Sequence, residues 1–478
     1  MEKQIVTFVG IAGTDKDYLL APSVLISYLN TFEDINHNFD ITIQNYFLNT
    51  DEKTILEGIN KLNPSIVLFS CYMWNYDKIK NICKYLSNDI LKIFGGPEIE
   101  KTHKLGNNIY ISNQGEKYIR ASLYGKIEEQ PFDLSTAPSA YLNGYFDKEL
   151  ILPSIRANFE TSRGCNFRCG YCLYHKNMPR IEYRNPEEAA NEIVYAYKHG
   201  IKVGKIVDAN LLANKEHFTT LFNILIKNNV KMKLSIDVHP LFVNRDVAKI
   251  FKQYTSISPD NNLLIGMGLQ SMNKESLLSI NRYVPITAFD CAVKLLTKSG
   301  CTVVIDTILG LPKENELSYL DMVSYVTTLC HDNKNYVSPF VLKVLPGTQM
   351  EKIAKDENLI IDKLVNYTIY ETPTMERERM VRCLRITAIL NRIFGSSRLT
   401  RNNNVEKMFK KVATKYGIIN TYDYLVNACR IILPNSCDFC KSDFPKAENF
   451  YYGNMMSEIS DEFLIKTLEE MRKCEYYV

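Results

Sequence analysis

Two successive runs of alternating strand and helix signals occupy residues 1 to about 350, and this alternation limits the fold more than any other feature of the chain. "QIVTFVGIAG" is an apolar, β-branched run ending in glycine, the signature of a buried strand. Helical spacing follows at Val24, Leu25, Tyr28, Leu29 and Phe32. "FDITIQNYF", "PSIVLFS", "ILKIFGG" and "NIYIS" read as four further strands, with helices between them and after the last. Such units predict a doubly wound open parallel sheet with helices on both faces. Ligands of these sheets bind beyond the C-terminal strand ends. Three loops fall there: "SCYMWN" at Ser70–Asn75, "GGPE" at Gly95–Glu98 and "QGE" at Gln114–Glu116. The first holds Trp74, the only tryptophan in the sequence.

The periodicity fades after residue 126, and 131–155 reads as a linker between a domain at 1–130 and the second run. That run opens with "RANFETS" and continues through "VGKIVDAN", "KMKLSIDV", "LLIGMGLQS", "TVVIDTILGLP" and "VSPFVLKVLPG", each followed or preceded by a helix. One helix is bounded by Asn185, Pro186 and Gly200. Six or so β/α units over 156–350 predict a partial (β/α)6 barrel, whose chemistry belongs on the C-terminal strand ends. Polar residues recur there: Asp208, Asn210, Ser235, Asp237, Gln270 and Asp306. From 351 to 478 the signal becomes a series of amphipathic helices. The expected fold class is therefore α/β with a helical C-terminal region.

Directly after the first barrel strand comes "ETSRGCNFRCGYCLYHK", with Cys165, Cys169 and Cys172 within eight residues. No signal peptide is read at the N-terminus, so the 13 cysteines are taken as cytosolic thiols, more often metal-binding or catalytic than disulfide-bonded. Four-thiolate zinc sites use paired C-x2-C knuckles. Here the spacing is C-x3-C-x2-C with no fourth cysteine nearby. Three thiolates so placed can face one iron–sulfur cubane and leave one iron open. Zinc with His175 as the fourth ligand is the alternative. The formal charge of +3 gives no footprint for nucleic acid and no polybasic membrane patch. No apolar run approaches the roughly 18 residues of a spanning helix. A cytoplasmic, monomeric protein without nucleic-acid or membrane partners is expected.

"CNFRCGYC" resembles the signature of the radical S-adenosylmethionine (SAM) enzymes. "VDAN", "GLQSMNKESLLSINR", "DTILGLP" and "LPGT" resemble the further motifs of the branch with an N-terminal cobalamin-binding domain, and "SCYMWN", "GGPE" and "QGE" resemble that domain. The resemblance implies that Cys165, Cys169 and Cys172 ligate a 4Fe–4S cluster. It implies that SAM chelates the open iron and is cleaved to a 5′-deoxyadenosyl radical. Tyr171 would lie against the adenine, and Asp208, Ser235, Asp237, Gln270 and Arg282 would hold the rest of SAM. Cobalamin would be held by Ser70, Tyr72, Trp74, Gly95, Gly96, Gly115 and Glu116, with Trp74 under the lower face of the corrin. The D-x-H-x-x-G motif that supplies a histidine to cobalt is absent; "GIAGTDKDYLLAP" occupies its region. The implied cobalamin therefore has no protein nitrogen on cobalt, or else the domain is a scaffold that has lost it.

The implied activity is methylation of an sp3 carbon of a peptide or natural product, using the radical and methylcobalamin. An external one-electron reductant such as flavodoxin or ferredoxin is needed. Epimerisation, cyclisation or rearrangement without methyl transfer stays open. In that case Cys437 or Cys440, in the C-terminal "NSCDFC", could return a hydrogen atom or form half of a second metal site. A methylthiotransferase acting on tRNA is disfavoured by the balanced charge and the helical tail. The C-terminal helices are the expected substrate cap.

Overall fold

The computed structural model describes residues 2–13, 19–112, 114–142, 156–174, 178, 180–257, 263–333, 335–362, 367–395, 402–432 and 459–473. Cys437, Cys440 and His175 lie outside the described residues. The chain divides into two compact units. One comprises residues up to 166 with 173–237 and 253–263; the other comprises 167–172, 238–252 and 264 onward.

The first unit contains a six-stranded sheet of β1 (Gln4–Ala12), β2 (Phe39–Phe47), β3 (Ile66–Ser70), β4 (Leu91–Gly95), β5 (His103–Leu105) and β6 (Asn108–Ile111), in the order β2-β1-β3-β4-β6-β5. All neighbours are parallel except β5 and β6. The expected all-parallel sheet is thus mixed. Its antiparallel edge escaped the sequence reading because all three residues of β5 are exposed, so the strand shows no alternation. Along β1 the side chains alternate between two cores. Val6 and Phe8 pack with Ile26, Leu29 and Ile119. Val9 and Ile11 pack with Ile55, Ile59, Ile79 and Ile82. Helices therefore cover both faces, and the loops after β3, β4 and β6 share one end of the sheet.

The same unit holds three parallel strands, with β10 (Val203–Ile206) between β7 (Arg156–Phe159) and β11 (Lys233–Asp237). Between β7 and β10 comes a small antiparallel ribbon of β8 (Ser162–Arg163) and β9 (Glu182–Tyr183), with the cysteine loop joining its strands. The helix Pro186–Lys198 is capped as expected: the Asn185 side chain accepts from the Glu187 and Glu188 amides at 2.9 and 3.2 Å, and Pro186 needs no donor there.

The second unit contains parallel strands β12 (Leu264–Gln270), β13 (Thr302–Leu309) and β14 (Tyr336–Val341), in that order. Six parallel strands over β7 and β10–β14 match the expected partial barrel. A hairpin of β15 (Ile360–Asp362) and β16 (Thr368–Glu371) precedes helices Arg377–Phe394, Asn403–Tyr416, Ile418–Ile432 and Asp461–Lys473. The helices are tied to the unit by buried hydroxyl pairs, Tyr319 with Thr387 at 2.7 Å and Thr327 with Tyr422 at 2.9 Å. No helix among the described residues is long and apolar enough to cross a membrane.

Candidate functional site

A cavity of about 960 Å³ opens at the loop end of the N-terminal sheet, within the first unit. All seven residues assigned to cobalamin by resemblance line it: Ser70, Tyr72 and Trp74 from the first loop, Gly95 and Gly96 from the second, Gly115 and Glu116 from the third. The first two loops interlock. The Cys71 amide donates to the Gly95 carbonyl at 2.6 Å. Gly96 has φ +115°, and a Cβ there would stand 2.4 Å from the Cys71 carbonyl oxygen, so only glycine fits. Gly95 differs: a Cβ would meet no atom within 4 Å, in open cavity space. Asn75, which the sequence reading did not single out, shapes the first loop. Its side chain accepts from the Tyr72 amide at 2.8 Å and donates to the Ile11 and Ser70 carbonyls at 3.0 Å, tying the ends of β1 and β3. Trp74 stacks on Tyr72 with ring centroids 4.4 Å apart and is 43% exposed.

The approach to the cysteine loop is fixed by buried polar groups. Asp208, at the end of β10, is buried. Its carboxylate accepts from the Thr161 amide at 2.8 Å and from the Thr161 and Ser162 hydroxyls, both at 2.6 Å. Burial pushes this carboxyl up to about 6, against those hydrogen bonds, which lower it. Asp208, which the resemblance placed at SAM, braces the start of the cysteine loop through these three hydrogen bonds. Its partners lie 46 and 47 residues away in the chain, so strand-end position alone did not reveal them. His217, pushed down to about 4 by burial, meets the Thr161 hydroxyl at 2.9 Å. Ser235 and Asp237 share one face of β11, and Asp237 pairs with Lys205 at 3.4 Å.

In the second unit, the "CGYC" part of the loop is clamped by its backbone. The Gly170 amide donates to Ile280 and its carbonyl accepts from Met350, both at 2.8 Å. Tyr171 packs on the cluster containing Ile280, Leu311 and Met350. Burial raises its phenol, against the nearby Arg282 charge. Arg282 donates to the Gly268 carbonyl at 2.9 Å, and its other terminal nitrogen lies 3.9 Å from the Cys169 sulfur. Its Nε is buried with no partner, as is Oε1 of Gln270. Gln270 ends β12 at a register shift and has φ +67°, rare for a residue with a side chain. Strained backbone and orphaned polar atoms thus coincide around Gly268, where Gln270 and Arg282 meet. Two residues missed by the sequence reading hold this turn. Ser271 donates to Glu314 at 2.5 Å, and burial pushes that carboxyl up to about 8. Among the described residues no three His, Cys, Asp or Glu side chains are gathered closely enough to hold a metal ion.

Residues 159–326 match the model of the radical SAM superfamily. The cobalamin-dependent radical SAM methyltransferase TokK of Streptomyces tokunonensis is 22% identical over 383 residues, which cover 71% of this chain. The chain spans about half of TokK, 55% of its length. Among solved structures, the cobalamin-dependent S-adenosylmethionine radical enzyme OxsB superposes with a TM-score of 0.63 at 14% identity, over 98% of this chain and 83% of OxsB. The radical S-adenosylmethionine methyltransferase TsrM of Kitasatospora setae gives 0.56 at 14% identity, over 76% of this chain and 80% of TsrM. The chain thus carries a radical SAM domain over residues 159–326, and its fold is similar to the folds of OxsB and TsrM.

Proposed function

We propose that the protein is a cobalamin-dependent radical SAM enzyme that methylates an sp3 carbon of a peptide or natural product. The observation that carries this reading is the cavity at the ends of β3, β4 and β6. Its volume of about 960 Å³ is at the top of the usual cofactor range of roughly 300–1,000 Å³. Gly95 leaves it room that any side chain would fill, and Trp74 and Tyr72 give it an aromatic wall. These features fit a large planar ring system. Residues up to about 130 would hold cobalamin, and 156–350 the cluster and SAM.

The donor set of the cysteine loop fits an iron–sulfur cluster, since three thiolates are soft ligands suited to iron. Arg282, beside Cys169, and Gln270 each present a buried, unpartnered polar atom, suited to the carboxylate and amine of SAM. When bound, the cluster supplies the electron that cleaves SAM, and cobalamin carries the methyl group. The chain's own part is placement. Tyr171 offers a partly buried ring packed on an apolar cluster, Arg282 a cation for a carboxylate, and the clamped Gly170 backbone a fixed loop. The helices after 351 would form the substrate cap, and flavodoxin or ferredoxin would serve as reductant.

Methyl-labelled SAM tests the reaction. With substrate and reductant, methyl transfer gives S-adenosylhomocysteine and 5′-deoxyadenosine in near-equal amounts, and label on a carbon that was C–H. Formation of 5′-deoxyadenosine with little S-adenosylhomocysteine and no label in the product would refute methylation in favour of epimerisation, cyclisation or rearrangement.

A further inference from the structure

Arg163 lies two residues before Cys165, on β8, and lines the same cavity as the proposed corrin-binding loops. A guanidinium has five N–H donors, and all of them are used. Nε and Nη2 donate to the two oxygens of Glu160 at 3.0 and 2.7 Å. Nη1 and Nη2 donate to the two oxygens of Glu116 at 3.1 and 3.0 Å. Nη1 also donates to Gln114 at 3.3 Å. Gln114 in turn donates to Glu182 on β9 at 3.1 Å and to the Met178 sulfur at 3.2 Å. Glu116 is buried, and burial works to raise its carboxyl, but the Arg163 charge and hydrogen bonds outweigh this and hold it low. Both Glu116 oxygens thus accept from Arg163. Glu116 is a buried anion whose counter-ion belongs to the cysteine loop.

This network spans two places that the sequence keeps 47 residues apart: the "QGE" loop of the cavity and the strand that leads to the first cysteine. Paired, bidentate contacts between buried charges have few alternative geometries. A shift of the cavity loop must therefore shift Arg163 or break the pairing. The Gln114 branch extends the same constraint across the β8–β9 ribbon, which closes the base of the loop. Gly164, next to Arg163, has φ +96°, and a Cβ there would lie 3.1 Å from the Arg180 carbonyl, so the loop leaves the ribbon along a fixed path.

We propose that Arg163, held by Glu116, Glu160 and Gln114, is a positioning residue that couples occupancy of the corrin cavity to retention of the cluster at Cys165. This rests on the cobalamin reading above. The coupling is reciprocal by linkage: a corrin that stabilises the cavity loops stabilises the cluster loop, and the reverse.

The test is the rate at which an iron chelator strips the anaerobically reconstituted full chain, with and without bound hydroxocobalamin. In the wild type, hydroxocobalamin should slow iron loss about fivefold or more, within the usual range of coupling between sites. Arg163→Lys keeps the charge but loses the fork, and Glu116→Gln keeps the shape but loses the charge. Compared with wild type at full corrin loading, set by excess hydroxocobalamin, both should lose most of the protection. Arg120→Lys weakens a more exposed ion pair of the same unit, Arg120–Asp34 at 2.8 Å, which lies outside the cavity lining, and should keep the protection. Equal protection in Arg163→Lys, Glu116→Gln and wild type overturns the coupling while leaving cobalamin binding intact. So does wild type that retains corrin but gains no protection. Wild type that retains no hydroxocobalamin overturns the cobalamin reading itself, and this inference with it.

Discussion

Replacing Glu314 by glutamine removes an ionisation while keeping the shape of the side chain. Glu314 is fully buried, one oxygen accepts from Ser271, and the other has no partner among the described residues. Burial raises its carboxyl from the ordinary 4.5 to about 8. The sign follows from linkage. Between those values the unfolded chain has released a proton that the folded chain still holds, so stability is fully present below 4.5 and is lost as pH rises through 8. At about 1.4 kcal/mol per pH unit, the whole window amounts to about 5 kcal/mol. About 1.6 kcal/mol of that falls between pH 6.5 and 8, or about fifteenfold in an opening equilibrium. Working above 6.5 avoids His217, whose buried ring is pushed down to about 4 and whose contribution is lost only as pH falls below its ordinary 6.5.

Hydrogen exchange on peptides covering Leu264–Gln270 and Thr302–Leu309 reads local opening without requiring a single global transition. Comparing wild type with Glu314→Gln at each pH cancels the intrinsic pH dependence of exchange. The protection of wild type relative to the variant should fall about tenfold or more from pH 6.5 to 8. The Ser271 contact, and the left-handed Gln270 turn it supports, should loosen first. A wild-type-to-variant ratio that stays flat over that interval would show that Glu314 is already ionised at pH 6.5, and the role given to its burial would be wrong.

Two neighbouring glycines should separate stability from binding. Gly96→Ala places a Cβ 2.4 Å from a carbonyl oxygen at positive φ and should cost about 3 kcal/mol, seen as a lower midpoint in thermal unfolding of the chain. Gly95→Ala meets nothing within 4 Å and should melt like wild type while retaining less hydroxocobalamin after desalting; unchanged retention would remove Gly95 from the corrin site. Replacing Cys165, Cys169 and Cys172 together by alanine should abolish the brown absorbance and the cleavage of SAM. About four irons per chain persisting in that variant would place the cluster elsewhere.

Much of the fold was legible in short stretches of sequence. The strands β1, β2, β3, β4 and β6 and the six barrel strands each carry their own apolar pattern. Helix Pro186–Lys198 announces its start through Asn185 and Pro186. Edge elements were less readable. The exposed β5 and the short β15–β16 hairpin have too few buried positions to imprint a period. The cavity was half legible. Loops at successive strand ends must share one end of a sheet, so Ser70, Gly95 and Gly115 could be grouped from topology alone.

What the sequence by itself determined is local: element type, the order of the two runs, and the triple-cysteine loop with its spacings of three and two residues. What only the tertiary structure decided is which buried charge meets which. Asp208 meets Thr161 and Ser162; Glu116, in the cavity lining, meets Arg163; Ser271 and Glu314 meet across 43 residues to secure a strained turn. Periodicity arises between neighbours in the chain and survives in any fold built from those elements. Pairing of buried polar groups depends on which strand ends come together, and a carboxylate carries no mark of its partner until they do.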